Sequence, residues 1–190
     1  MSVMTIPEAW YVQDRTLTVE DMENMPDDEF RYELDDGVLI VSPAPSNLHQ
    51  VAVTRLAVLL SAVCPAELEV LAGVGVNISR FQHRVPDVAV VPATSLDTVF
   101  QETPPALAVE VASPRTRLYD RNRKKDIYEG FGIPAYWIVE PDMDKPELIV
   151  FELRSGAYEQ TAHVTGDEEY HAEIPFPVTI APSRLVSLRR

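Results

Sequence analysis

Cysteine and long apolar runs are scarce in this chain, and each scarcity excludes a class of protein. The 190 residues include one cysteine, Cys64, which excludes an intramolecular disulfide and a cysteine-based zinc cluster. No stretch of about 18 apolar residues is present, so we expect no transmembrane helix. The first residues lack the charged stretch and the apolar run of a signal peptide, and we therefore expect a cytoplasmic protein.

Basic residues are also few, with 16 lysines and arginines against 30 acids and a formal net charge of −14. Residues 1–36 hold much of the excess, since they contain eleven acids and two arginines. Residues 110–130 form the main basic stretch, with six lysines and arginines against four acids. Because most of such a surface repels a polyanion, a nucleic acid would be received only near residues 115–125.

The remaining pattern predicts a mixed sheet with few helices, α/β or α+β mixed in class, with extra β-hairpins. With 46% hydrophobic and 24% charged residues, we expect one domain over residues 1–190 with an ordinary core. Hairpins are predicted across Asp35-Asp36-Gly37, Ala72-Gly73 and Ser155-Gly156. Other predicted elements are helices at 18–25, 47–63 and 116–131, strands at 85–91, 107–112, 135–139 and 178–180, and a polar connection at 79–84.

Two acidic residues stand alone in otherwise apolar strands. Glu110 interrupts the segment 107–112, and Asp87 lies near the start of the segment 85–91. Alternation along a strand places Glu110 on the same face as Ala112, where small neighbours leave room for a ligand. A buried carboxylate is costly unless a charge meets it, so the two acids indicate either a metal site or an ion pair.

The helix predicted after the second of these strands supplies a lysine on its apolar side. Asp120, Lys124 and Tyr128 recur at helical spacing, whereas Arg123 is turned outward. We expect Lys124 to meet Glu110, because neither charge is tolerated alone in an apolar environment. Asp120, one helical turn before the lysine, is expected to pair with it.

Several ordered segments resemble the Uma-two family of restriction endonucleases, which belongs to the PD-(D/E)XK nuclease superfamily. The resemblance covers roughly residues 15–165 and keeps the order and approximate spacing of the segments. The segments are YELDDG at 32–37, PAPSNLHQ at 43–50, PD at 86–87, VEVASP at 109–114, YDR at 119–121 with Lys124 and Tyr128, and GIPAYWIV at 132–139.

The resemblance implies a restriction-endonuclease-like core, with a central mixed sheet flanked by helices, and metal-dependent cleavage of phosphodiester bonds in DNA. Asp87 and Glu110 match the metal-binding acids of the family. Magnesium or manganese is the implied cofactor, and a backbone carbonyl such as that of Val111 would add to the oxygen ligands. Since nucleases of this fold often cut as dimers, a homodimer is expected by analogy.

The lysine of the motif departs from the superfamily pattern. The wider superfamily has a lysine two residues after the glutamate, where this chain has Ala112. The Uma-two pattern instead carries a lysine in the following helix, which falls on Lys124, and an additional acid near the amino terminus, which falls on Glu33. Lys124 would orient or deprotonate the attacking water, or stabilise the phosphate; the sequence does not separate these roles.

Each assignment has a structural alternative. Glu110 and Lys124 could form a buried ion pair without a metal, or Lys124 could extend along the helix to solvent. Asp87 could cap a strand start, and Glu33 could be an ordinary hairpin acid. The four histidines are scattered and form no evident ligand set, so His49 is expected to be structural or incidental.

The protein as a whole has an alternative too. A catalytically inactive nuclease fold that serves as a binding or assembly module is favoured by Ala112 and by the acidic surface. In either case the arginines at 115, 117, 121 and 123 are expected to form a solvated helix face rather than dedicated phosphate ligands.

Overall fold

Strands dominate the described part of the chain. The computed structural model describes residues 16–22, 30–42, 44–113 and 116–187. The strands are β1 (Arg31–Asp35), β2 (Val38–Ser42), β3 (Leu68–Ala72), β4 (Val76–Ser79), β5 (Gln82–Arg84), β6 (Val88–Pro92), β7 (Leu107–Val111), β8 (Ala135–Glu140), β9 (Glu147–Arg154), β10 (Ala157–Thr165), β11 (Tyr170–Ala172) and β12 (Val178–Ile180). The helices are α1 (Val19–Met22), α2 (Asn47–Ser61), α3 and α4 (Pro182–Val186), with a 3-10 turn at Ala93–Ser95. Helix α3 has three consecutive parts, Arg117–Tyr119, a π-helical segment Asp120–Lys124, and Lys125–Phe131.

The strands form a larger sheet of six, a smaller sheet of four and a separate pair. The larger sheet has the order β10-β9-β8-β7-β6-β3, the smaller has the order β2-β1-β5-β4, and β11 pairs with β12. Strands β7 and β8 are parallel, whereas the other neighbours in the larger sheet are antiparallel. Helix α3 makes the crossover that parallel strands require. The predicted mixed sheet with flanking helices is therefore confirmed.

The larger sheet has an apolar core on each face. One core contains Leu107, Val109 and Val111 of β7 and packs against α2. The other contains Ala108 and Ala112 and packs against α3. This division is the one predicted from strand alternation, and it places the Glu110 side chain on the α3 face.

The first and last predicted hairpins are confirmed, but the one between them is wrong. Strand β1 pairs with β2, and β9 pairs with β10. Strand β3 pairs with β6 in the larger sheet, whereas β4 pairs with β5 in the smaller one. Gly73 has a positive φ of 68°, which suits a sharp turn, but its N–H donates to the carbonyl of Asp87 at 3.1 Å instead of closing a hairpin.

Strand β5 lies in the polar stretch that was expected to be a connection, and its three residues are buried. The fully buried Arg84 donates from Nη1 to the carbonyl of Leu34 at 2.6 Å. His83 Nδ1 lies 2.7 Å from Asn77 Oδ1. Burial is tolerated because each of these polar side chains has a partner, and hydropathy cannot reveal such pairing.

Other differences from the predicted elements concern bounds and short elements. Strand β6 begins at Val88, so Asp87 precedes it. Strand β11 and helix α4 were not predicted, and the last part of the helix predicted at 18–25 lies outside the described residues. No helix in the described ranges is both long and apolar enough to cross a membrane.

The buried His83 predicts a stability that depends on pH. Burial lowers the pKa of this imidazole to about 4 from an ordinary value of 6.5. Because the folded protein favours neutral His83, its contribution is fully present above pH 6.5 and is lost as the pH falls to about 4, by roughly 3 kcal/mol. Urea unfolding should therefore show a larger loss of stability between pH 6.5 and pH 4 for the wild type than for His83→Gln, by roughly 3 kcal/mol.

His171 is exposed, so His171→Gln is the matched control, and its stability should fall with pH as much as that of the wild type. Comparing variants removes the titration of the carboxylates, which all of the proteins share. An equal loss of stability in wild type and His83→Gln between pH 6.5 and pH 4 would contradict the burial argument.

Candidate functional site

Acidic side chains from four separate parts of the fold line one cavity of about 480 Å³. They are Glu33 of β1, Asp87 just before β6, Glu110 of β7 and Asp120 of α3, and each is at most 5% exposed. Lys124 lines the same cavity. The structure therefore brings together the candidate residues Glu33, Asp87, Glu110 and Lys124.

The register of β6 and β7 explains why Asp87 and Glu110 are neighbours. Antiparallel pairing joins Val88 to Val109, so the next pair along the strands is Asp87 and Glu110. Residues opposite one another on antiparallel strands project from the same face with Cβ atoms about 5 Å apart. The N–H of Val111 donates to Asp87 Oδ2 at 2.8 Å, which holds this carboxylate at the end of β7.

Lys124 reaches the acids from the helix side. Its Nζ lies 2.9 Å from Glu110 Oε1, 3.4 Å from Glu33 Oε1 and 3.8 Å from Asp120 Oδ1. The predicted contact between Lys124 and Glu110 is therefore present. Lys124 is only 4% exposed, so the alternative in which it extends to solvent is wrong.

The π-helical segment shapes this part of α3, where the sequence predicted a regular helix. A π segment leaves backbone carbonyls without their usual partner four residues on. The hydroxyl of Tyr136 donates to the carbonyl of Asp120 at 3.0 Å, and the side chain of Asn122 donates to the carbonyl of Leu118 at 2.8 Å. These two side chains stabilise the segment that carries Lys124.

Glu110 combines deep burial with one oxygen that has no hydrogen-bond partner among the described residues. Burial raises the pKa of its carboxyl to about 8, although the charge of Lys124 opposes the rise. Lys124 Nζ and the donating hydroxyl of Tyr128, at 2.9 and 2.7 Å, both meet Oε1. No hydrogen bond between described residues reaches Oε2, and Glu110 lines the cavity, so Oε2 is the oxygen that a ligand there would use.

Asp87 is surrounded by donors, two of which the sequence did not reveal. Its Oδ1 accepts from Arg31 Nη1 at 2.6 Å, and its Oδ2 lies 3.1 Å from His49 Nε2. Burial opposes ionisation, but the hydrogen bond with His49 and the charge of Arg31 outweigh it and hold the pKa of Asp87 at about 2. His49, expected to be structural or incidental, therefore contacts one of the candidate metal ligands. Its position inside a segment of the family pattern was the available signal.

The cavity has more carboxyl groups than cationic side chains among the described residues, which suits a divalent cation. Four carboxyl groups line it with Lys124 and Arg31, and burial raises the pKa of one of them, Glu110. Oxygen ligands completed by water suit magnesium or manganese. No group of three or more His, Cys, Asp or Glu side chains in the described ranges is spaced to hold a metal. The protein's share would therefore be Asp87 and Glu110 with a backbone carbonyl such as that of Val111, the share that magnesium commonly takes.

The arginines of α3 are used within the protein. Arg117 and Arg121 contact Glu140 at 3.0 and 2.5 Å. Arg123 contacts Asp35 at 2.7 Å, and its Nη2 also meets Asp36. Each of these three arginines contacts a carboxylate, and their side chains remain 37 to 48% exposed, which agrees with the expected solvated helix face. Residue 115 lies outside the described part of the chain.

One polar cluster, Asp35 with Arg84, Tyr119 and Arg123, fastens the smaller sheet to α3. Asp35 accepts from the hydroxyl of Tyr119 at 2.8 Å and lies 2.9 Å from Arg84 Nη2. Asp35 ends β1, the strand that also carries Arg31 and Glu33. The polar cluster thereby holds the two cavity residues of the smaller sheet over the larger one.

Comparison with known proteins adds a family to this geometry. A family model named Uma2 and described as "Putative restriction endonuclease" matches residues 19–184. The chain belongs to the Uma2 family. Comparison with curated proteins finds no match.

This Uma2 chain has the same fold as a protein of known structure. That protein is described as "a putative nuclease belonging to DUF820" from Anabaena variabilis ATCC 29413. The TM-score is 0.67 and the identity 15%, over 84% of this chain and 89% of that chain. At this identity the likeness concerns the fold alone.

The structure also accounts for Ala112 in this Uma2 chain. Ala112 is 4% exposed and belongs to the apolar core between the larger sheet and α3. The ammonium group that contacts Glu110 comes from Lys124 on the helix.

Loss of the Lys124 charge should destabilise this Uma2 protein strongly. Lys124→Met leaves the contacting carboxylates buried without a cation, and breaking such a buried pair costs about 3 to 5 kcal/mol. Urea unfolding in EDTA at neutral pH measures the effect. Added magnesium or manganese should restore part of the lost stability, because a cation would then offset the same carboxylates.

Lys125→Met is the matched control for this measurement. Its Nζ lies 5.5 Å from the centre of the Phe151 ring, and its loss should cost less than about 1 kcal/mol. Equal stabilities of Lys124→Met and Lys125→Met would contradict the electrostatic account of the cavity.

Proposed function

We propose that this Uma2 protein is a metal-dependent endonuclease that hydrolyses phosphodiester bonds in DNA. One observation carries the proposal: among the described residues, four buried carboxyl groups share a cavity with two cationic side chains, Lys124 and Arg31. A structural ion pair needs one acid for each base, and surplus buried carboxylates are costly. A divalent cation removes that cost, and the description of the family agrees with this chemistry.

Asp87 and Glu110 are the proposed ligands of magnesium or manganese, with the backbone carbonyl of Val111. When bound, the cation supplies neutralisation of charge at the scissile phosphate and activation of the attacking water. Tyr128 fixes Glu110 by donating to Oε1, which leaves Oε2 for the cation.

Lys124 and Glu33 are the other proposed catalytic residues. Glu110, Glu33 and Asp120 outweigh burial and keep the pKa of Lys124 above its ordinary value. The lysine is therefore an ammonium group that orients the carboxylates and attracts the phosphate, and it is not a proton acceptor. Glu33 accepts from the N–H of Val85 at 2.9 Å and contacts Lys124, so it positions the lysine from the smaller sheet.

Hydroxyl groups of the described residues lie where DNA would approach the cavity. Ser46 and Thr116 are exposed and line the cavity, so they lie at its rim. Hydroxyl side chains commonly donate to phosphate oxygens. With Arg117, Arg121 and Arg123 engaged by carboxylates, we expect weak binding of DNA in the absence of the cation.

The two proposed ligands provide the direct test. Glu110→Gln and Asp87→Asn each remove a charged oxygen ligand, and cleavage of plasmid DNA with magnesium or manganese should fall by about a hundredfold or more. Calorimetry should also show weaker binding of manganese to both variants. Glu159→Gln, a change at an exposed acid of β10, should leave cleavage and metal binding unchanged.

Two results would count against the proposal. Undiminished cleavage by both variants would mean that a contaminating enzyme cuts the DNA. A wild-type protein that binds no divalent ion and cuts no DNA would favour the catalytically inactive binding module.

A homodimer and a cytoplasmic location belong to the same proposal. Light scattering of the purified protein measures the assembly, and a monomeric mass would remove the dimer without affecting the chemistry of the cavity.

A further inference from the structure

Arg31 occupies the oxygen of Asp87 that a cation would need. Oδ2 of Asp87 accepts from the N–H of Val111 at 2.8 Å and lies 3.1 Å from His49 Nε2. Oδ1 is therefore the oxygen that remains for a metal ligand. Arg31 Nη1 donates to this atom at 2.6 Å. A cation at Asp87 and the guanidinium of Arg31 thus compete for one position.

The Arg31 side chain has room to leave that position. It is 34% exposed, whereas the Asp87 side chain is 4% exposed. A single hydrogen bond joins Arg31 to Asp87, and not the bidentate fork that holds an arginine most firmly. Arg31 also lines a second cavity of about 270 Å³, which shares Asp87 and His49 with the first. A guanidinium that turns away from Asp87 therefore stays beside both cavities.

We propose that Arg31 is a phosphate-binding residue that the divalent cation releases. Without the cation, Arg31 neutralises Asp87. With the cation on Asp87, like charges repel and the guanidinium turns to a phosphate of the nucleic acid, which it matches in geometry. The inference rests on the proposed function, because it takes this cavity as the place where cation and phosphate meet.

Release of Arg31 couples the binding of the cation to the binding of the phosphate. The cation frees a phosphate-binding group, and a bound phosphate draws that group away from the ligand oxygen. By linkage, each ligand then raises the affinity for the other by the same factor. This coupling shows how a chain with a net charge of −14 admits a polyanion only when the cation is present.

Binding of a short fluorescent DNA duplex to the full chain tests the coupling. Fluorescence anisotropy is measured with saturating calcium, which takes the same oxygen ligands, and again in EDTA. In calcium, Arg31→Met should bind at least about tenfold more weakly than the wild type, with about one phosphate contact fewer in the salt dependence. In EDTA the two proteins should bind equally weakly. A gel after each titration checks that the duplex is intact.

Two further variants separate this role from a structural one. Arg31→Lys keeps the charge and should recover part of the affinity in calcium. Arg154→Met removes an exposed arginine that pairs with Glu152 at 2.8 Å, and it should match the wild type in both conditions. Should Arg31→Met fail to fold, Arg31→Lys and Arg31→Gln provide the same comparison.

Manganese binding without DNA supplies an independent measurement. Calorimetry should show tighter binding to Arg31→Met than to the wild type, because the competitor for Oδ1 is gone. Weaker manganese binding, or an equal loss of DNA affinity in calcium and in EDTA, would overturn the inference. Cleavage by the wild type with unchanged DNA binding by Arg31→Met would overturn it and leave the nuclease proposal standing. DNA binding that depends on the cation and on Arg31, without cleavage in magnesium or manganese, would support the inference and count against the nuclease proposal.

Discussion

The architecture of the cavity depends on one ammonium group among buried carboxylates. Lys124 contacts Glu110, Glu33 and Asp120, which come from the larger sheet, the smaller sheet and α3. Removing ionised carboxylates from water costs several kcal/mol each unless a charge and hydrogen bonds compensate. Three parts of the fold therefore converge on Lys124, and their relative positions are set by the need to share its charge.

The sequence predicted the central strands and the central acids well because both signals are local. An acid in an apolar strand is conspicuous, and strand alternation then assigns Glu110 to the face that α3 covers. Helical spacing predicted that Lys124 lies on the side of α3 that faces this sheet. The contact between them followed from the cost of isolated buried charges, without knowledge of the surrounding structure.

The errors concern contacts between distant parts of the chain. The short strands β3 and β4 pair with different partners, and nothing in their composition distinguishes this from a hairpin. Arg84 looked like part of a polar connection because its partners, Leu34 and Asp35, are some fifty residues away in the sequence. Arg31 and His49 were missed for the same reason, since only the folded chain brings them to Asp87. The acids that contact Arg117, Arg121 and Arg123 also come from other elements, so the sequence alone does not show these pairs.

The π-helical segment accommodates one residue more than a regular α-helix would hold over the same turns. Removing one residue between Asp120 and Lys124 would therefore give a regular α-helix and leave the later part of α3 in register. The part that follows has no such allowance. An α-helix turns by about 100° per residue, so one residue removed between Lys125 and Tyr128 would turn the Tyr128 hydroxyl away from Glu110. The residue count of α3 is thus stricter after Lys124 than before it.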